Sequence, residues 1–184
     1  MCRRLALAAV LAATVACSAP DKELHQAEGA IAAARAADAA VYAPEELKAA
    51  ESALQKYDGS VAQRDYRLAL RLALEARDTA YEAARRAADE RAIARGQAER
   101  LMSDLTSLID QAAERQTGPG AIKSPATLTR LRAASSSATT HLQEARTLLQ
   151  QQNFRAVTAD LQPIIDSLRA ELVDAAPAPA RRER

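Results

Sequence analysis

The side chains of this chain that could do chemistry are few, and their spacing does not gather them. His25 and His141 are the only histidines. Each falls on a predicted helix, far from the other, with no cysteine pair and no His-Glu-x-x-His spacing beside it, so no metal site is expected. Ser135-Ser136-Ser137, Thr139-Thr140 and His141 put hydroxyls near an imidazole. They do so on a plain helical stretch, without the elbow turn or the Gly-rich oxyanion loop that acyl transfer needs. Gly118-Pro119-Gly120 lacks the lysine of a phosphate loop. These segments read as polar helix faces and a turn. No catalytic residue and no cofactor is expected, and the sequence argues against an enzyme.

Two groups of residues point instead to binding. Arg85, Arg86, Arg91, Arg95 and Arg100 make one helical stretch basic, with Glu82, Asp89, Glu90 and Glu99 interleaved at helical spacing. Such interleaving reads first as ion-paired surface and second as a site for anionic glycan or lipid headgroups. Tyr42 lies at a helix corner beside Pro44. It is either a contact for a protein partner, since exposed aromatics dominate interfaces, or packing beneath the turn.

The N-terminus carries the most constraining signal. Arg3 and Arg4 precede an uncharged apolar run from Leu5 to Ala13, and Thr14-Val15-Ala16-Cys17 follows. This resembles a bacterial lipobox, with Thr14 where leucine is commonest. The resemblance implies a signal peptide over residues 1–16 and lipid on Cys17, with palmitate among the expected acyl chains. Several acyl chains, at about 0.8 kcal/mol per buried methylene, hold a protein at a membrane almost permanently. Ser18 replaces the aspartate that commonly retains such proteins at the inner membrane, so the expected location is the periplasmic face of the outer membrane. Cleavage would remove Cys2, Arg3 and Arg4 and turn the formal charge from +1 to −1. A nearly neutral exported chain has no pull toward nucleic acid.

The elements that must position these residues are helices. One Phe, four Tyr and no Trp accompany abundant Ala, Leu, Glu, Gln and Arg, a helix-forming mixture poor in strand signals. Alanine supplies much of the apolar fraction, so thin helix seams are expected in place of a thick core. Apolar spacing predicts about five helices. The first starts at Asp21, taken as its cap, with the stripe Leu24, Ala27, Ile31, Ala34 and Val41 interrupted by Asp38. Pro44 opens the second, with the stripe Leu47, Ala50, Leu54, Tyr57 and Val61. Asp65 caps a third of about 50 residues, roughly 75 Å long. Tyr66, Ala69, Ala73, Ala76, Ala80, Ala83 and Ala87 form one seam on it, and Ala94, Ala98, Leu101, Leu105, Leu108 and Ala112 another, so the helix changes partners near residue 90. Ser124-Pro125 starts the fourth, with Leu128, Leu131, Ser135, Ala138, Leu142, Ala145 and Leu149. Asn153 caps the fifth, with Val157, Leu161, Ile164, Leu168 and Leu172, and Pro163 is expected to kink it. Residues 175–184 read as a solvated Pro/Ala/Arg tail.

The organisation expected is an all-α elongated helical bundle: two helical hairpins sharing one long central helix, divided as an Ala-rich region over 17–90 and a second hairpin region over 91–174. Pro44 precedes Tyr66 by 22 residues and Pro125 precedes Phe154 by 29. The difference is one heptad, which lengthens a hairpin without much rotating its seam. Duplication and recurring helix grammar both account for that.

Tyr42-Ala43-Pro44-Glu45-Glu46-Leu47 and Arg64-Asp65-Tyr66 with Ala69, behind an Ala-rich first helix, resemble a family of small bacterial envelope lipoproteins known only as a domain of unknown function. The resemblance covers residues 22 to about 90. Some members carry an OmpA-like peptidoglycan-binding domain, which nothing here resembles, and the family supplies no catalytic residues. The function expected is therefore a non-enzymatic, lipid-anchored periplasmic scaffold or adaptor for an envelope protein or a second copy of itself. The alternative is a module binding cell-wall glycan or lipid through the basic stretch, which leaves peptidoglycan open as a partner.

Overall fold

The computed structural model describes residues 19–119 and 121–175; Cys17, the signal peptide and residues 176–184 of the tail lie outside them. Among the described residues there are six helices and no strand: α1 (Asp21–Ala36), α2 (Ala39–Tyr42), α3 (Pro44–Ala62), α4 (Tyr66–Thr117), α5 (Pro125–Gln150) and α6 (Phe154–Asp174). The described residues form an all-α bundle, 88% of them helical, in which one long helix packs against others. Its packing divides into two units, one ending at Ala88 and one beginning at Asp89.

In the first unit α1 and α3 pack against α4 through small side chains. Ala27, Ala53 and Ala76 form one cluster, and Tyr57, Ala69, Leu72 and Ala73 another, with Leu24, Val61 and Leu68 against it. Ala69, Ala73, Ala76, Ala80, Ala83 and Ala87 are all fully buried. Alanine gains little per residue from burial but lets helix backbones approach closely. Ser60 is the one buried polar side chain among the described residues, and its hydroxyl donates to the Lys56 carbonyl one turn back at 3.0 Å.

Three details depart from the spacing. Pro20 occupies the cap position of α1, with no side-chain cap bond, and Asp21 sits in the first turn with Glu23, where negative charge meets the positive helix end. Asp38 adopts a left-handed conformation (φ 61°, ψ 29°) and divides the expected first helix into α1 and α2. That break resets the helical phase. Ala39 and Tyr42 turn inward and are buried, while Val41, seven residues after Ala34, is 46% exposed. On α3 Leu47, Ala50 and Tyr57 are buried as the stripe expects, but Ala53 and Ser60 are buried where Leu54 and Val61 were expected, and those two are only half-buried.

In the second unit α5 and α6 run antiparallel. Arg130 near the start of α5 reaches Glu171 at 3.6 Å and Asp174 at 3.9 Å near the end of α6. Leu131, Ala138, Leu142 and Ala145 of α5 are buried, as are Phe154, Val157, Leu161, Ile165 and Leu168 of α6. Ile165, 1% exposed, takes the place expected for Ile164. Pro163 lies within α6, which continues through it. Ser124 caps α5 as expected, its hydroxyl accepting from the Thr127 amide at 3.5 Å. Asn153 precedes α6 without a side-chain cap bond, whereas the Asp65 carboxylate accepts from the Leu68 amide at 3.0 Å and does cap α4.

The turns entering α4 and α6 are the same turn. In Gln63-Arg64-Asp65 the amides donate to Gly59, Val61 and Ser60 carbonyls; in Gln151-Gln152-Asn153 they donate to Thr147, Leu149 and Leu148. Both are Schellman closures, with a left-handed residue where glycine is usual: Arg64 at φ 57° and Gln152 at φ 61°.

Candidate functional site

The basic stretch of α4 is engaged by the protein itself. In the first unit, Arg85 lies 3.9 Å from Glu82, and Arg86 pairs with Glu46 of α3. In the second, Arg91 donates to the side-chain carbonyl of Gln152, Arg95 pairs with Glu99 at 2.8 Å, and Arg100 donates to the Gly96 carbonyl at 3.0 Å. Glu46 is only 19% exposed at its side chain, so the Arg86 pair acts as a partly desolvated tie between α3 and α4. Exposed pairs such as Arg95–Glu99 contribute about 0.5 kcal/mol or less. Arg86 and Arg91 reach from α4 to other segments, while the Arg85, Arg95 and Arg100 contacts stay within α4.

Tyr42, the corner aromatic, is 7% exposed, and Ala43 behind it is buried too. Of its two readings the structure takes packing beneath the turn. Among the described residues of the first unit the most exposed large apolar side chains are Tyr81 at 56%, Val41 at 46% and Leu70 at 39%. Leu70, Leu74 and Tyr81 fall on one line of α4, since steps of four and seven residues bring a helix back to within about 40°. That line lies about a third of a turn from the alanine seam. Sequence periodicity missed it because the seam residues after Tyr66 are all alanine; a large side chain off the stripe was the available signal.

Two hydroxyls of the cluster are engaged within α5. Thr139 and Thr140 donate to the Ser135 and Ser136 carbonyls at 2.9 and 3.2 Å, bonds internal to α5. His25 is exposed and meets Glu28 at 3.2 Å. His141 is different: across the α5–α6 interface it meets Asp160, 19 residues away, where no motif spacing could announce it. An open groove of about 580 Å³ lies between α4 and α6, lined by Leu108, Arg115, Arg169, Leu172 and Val173 among others.

Fold and surface together define an alanine-seamed helical bundle. No protein-family model, curated protein or solved structure matches the chain. Among the described residues no helix is long and apolar enough to cross a membrane.

Proposed function

We propose that the chain is a non-enzymatic scaffold or adaptor, held by lipid on Cys17 at the periplasmic face of the outer membrane, that offers helical surface to a protein of the envelope. The observation that carries this reading is the line of α4 on which Leu70 and Tyr81 stand exposed, with the half-buried Leu74 between them. A partner helix gains more from covering Leu and Tyr than from covering Ala. The anchor rests on the Thr14-Val15-Ala16-Cys17 segment, and the envelope setting on that segment together with the resemblance over residues 22 to about 90. Glycan or lipid binding through the basic stretch is the weaker reading, because Arg85, Arg86, Arg91 and Arg95 already have partners in the bundle.

Mild cross-linking of intact envelopes, followed by mass spectrometry, tests the scaffold. One envelope protein or a second copy of the chain is expected to be captured, with yield falling in Leu70→Ala/Tyr81→Ala. Sedimentation with purified cell wall, reversed by salt, would favour the glycan reading instead. Radiolabelled palmitate is expected to label the wild type and not Cys17→Ser; an unlabelled wild type overturns the anchor.

A further inference from the structure

We infer that His141, Glu144 and Asp160 form a binding site for a divalent transition-metal ion of the zinc type, clamping α5 to α6. His141 Nδ1 lies 3.0 Å from both carboxylate oxygens of Asp160 and 3.5 Å from Glu144 Oε2. One donor atom from each residue lies within 4.8 Å of the other two. Zinc binds imidazole nitrogen and carboxylate oxygen at about 2.0–2.2 Å, which at tetrahedral angles sets donor atoms about 3.4 Å apart. The two His141 spacings bracket that value, and the third, between the carboxylates, is no more than 4.8 Å.

The donors are held in position. His141 and Glu144, three residues apart, share a face of α5, while Asp160 comes from α6, which packs against it. His141 and Asp160 side chains are only 29% and 31% exposed; Glu144, at 59%, closes the site from the solvent side. Charge points the same way. Among the described residues neither Glu144 nor Asp160 pairs with an arginine or lysine. A divalent ion complements two carboxylates that flank one imidazole. Mixed nitrogen and oxygen donors suit zinc and its first-row neighbours over magnesium, and three protein ligands leave a position for water. Binding requires the Nδ1 lone pair, so the ring proton resides on Nε2 in the metal complex, and a protonated His141 releases one proton to solvent on binding.

The test uses the full-length chain in detergent, stripped with EDTA and titrated with Zn²⁺ in a calorimeter, with Co²⁺ as a spectroscopic probe. One saturable equivalent of Zn²⁺ is expected. Loss of an outer-shell partner alone weakens metal sites by about 10- to 100-fold, so His141→Gln and Asp160→Asn should each weaken binding by at least about tenfold. His25→Gln should not change it. Zn²⁺ should raise the thermal midpoint of the wild type but not of Asp160→Asn. Glu144→Gln, at an exposed position, keeps the test valid if the other variants lose helicity: it should weaken binding with the circular dichroism unchanged. Absence of saturable binding, or an isotherm unaltered by Glu144→Gln and His141→Gln, overturns the site.

Discussion

Arg64 and Gln152 hold the same left-handed conformation, φ 57° and 61°, at the same position of two Schellman turns that open α4 and α6. Neither is glycine, and a left-handed L-residue costs about 1–2 kcal/mol. Arg64→Gly is therefore expected to stabilise the protein by about 1 kcal/mol, less whatever entropy glycine adds to the unfolded chain. Arg64→Val should destabilise it, since a β-branched side chain tolerates that conformation worst. Urea midpoints of the two variants against the wild type decide the matter; a rise in both, or a fall in both, contradicts the account.

These turns mark how far the sequence could be read. Helix starts at Pro44, Tyr66 and Pro125 follow from proline and cap chemistry, α6 starts at Phe154 although Asn153 makes no cap bond, and the alanine seams of α4 follow from period alone. The break at Asp38 was visible only as an interruption, because nothing in an Ala-rich segment announces that an aspartate will turn left-handed and rotate Tyr42 inward. Leu54 gives way to Ala53, and Ile164 to Ile165, because adjacent apolar residues straddle a seam and only the partner helix selects between them. His141 and Asp160 meet across two helices, a relation that tertiary packing creates and local spacing does not encode.

Gly118 ends α4 where a side chain would not fit. Its amide donates to the Glu114 carbonyl at 2.7 Å, and a Cβ built on it would stand 2.6 Å from that same oxygen. Gly118→Ala has to shift backbone on one side of the turn and is expected to cost about 1–3 kcal/mol. Gly59→Ala, where a Cβ meets nothing within 4 Å, should instead be neutral or stabilising by up to about 1 kcal/mol, since alanine is the better helix former. Thermal denaturation followed by circular dichroism separates the two.

Tyr57 gives the bundle a sensitivity to alkali. Burial raises its phenol above the ordinary value, and the nearby carboxylates Asp21, Asp58, Glu23 and Glu28 raise it further. A phenol whose folded value lies above the unfolded one favours the folded state fully only below about pH 10. Above that, the unfolded chain ionises more readily, and the stability is lost as pH rises toward the folded value. The gap in thermal midpoint between wild type and Tyr57→Phe should accordingly shift against the wild type between pH 8 and pH 11. A gap constant over that range removes Tyr57 as the cause.

Ala80 and Ala88 sit on the same helix with opposite surroundings. Ala80 is fully buried in the seam and Ala88 is exposed. Ala80→Leu forces extra volume between closely packed helices and should cost about 1–3 kcal/mol. Ala88→Leu should change stability by no more than about 0.5 kcal/mol. Equal urea midpoints for the two variants would show that the seam is not close-packed.

Tyr42 and Tyr81 separate packing from partner contact. Tyr42, 7% exposed, fills the space under the α2–α3 corner, so Tyr42→Ala should destabilise the first unit by about 3 kcal/mol, as large-to-small changes in cores do. Any fall in cross-linking to a partner would then follow from unfolding and be matched by lost helicity. Tyr81, 56% exposed, has little packing to lose, and Tyr81→Ala should leave the thermal midpoint nearly unchanged. If the line through Leu70, Leu74 and Tyr81 is where an envelope partner seats, Tyr81→Ala should nevertheless lower the cross-linked yield several-fold, because truncating an interface aromatic costs about 2 kcal/mol or more. Undiminished yield from a folded Tyr81→Ala protein would move the partner surface off this face of α4.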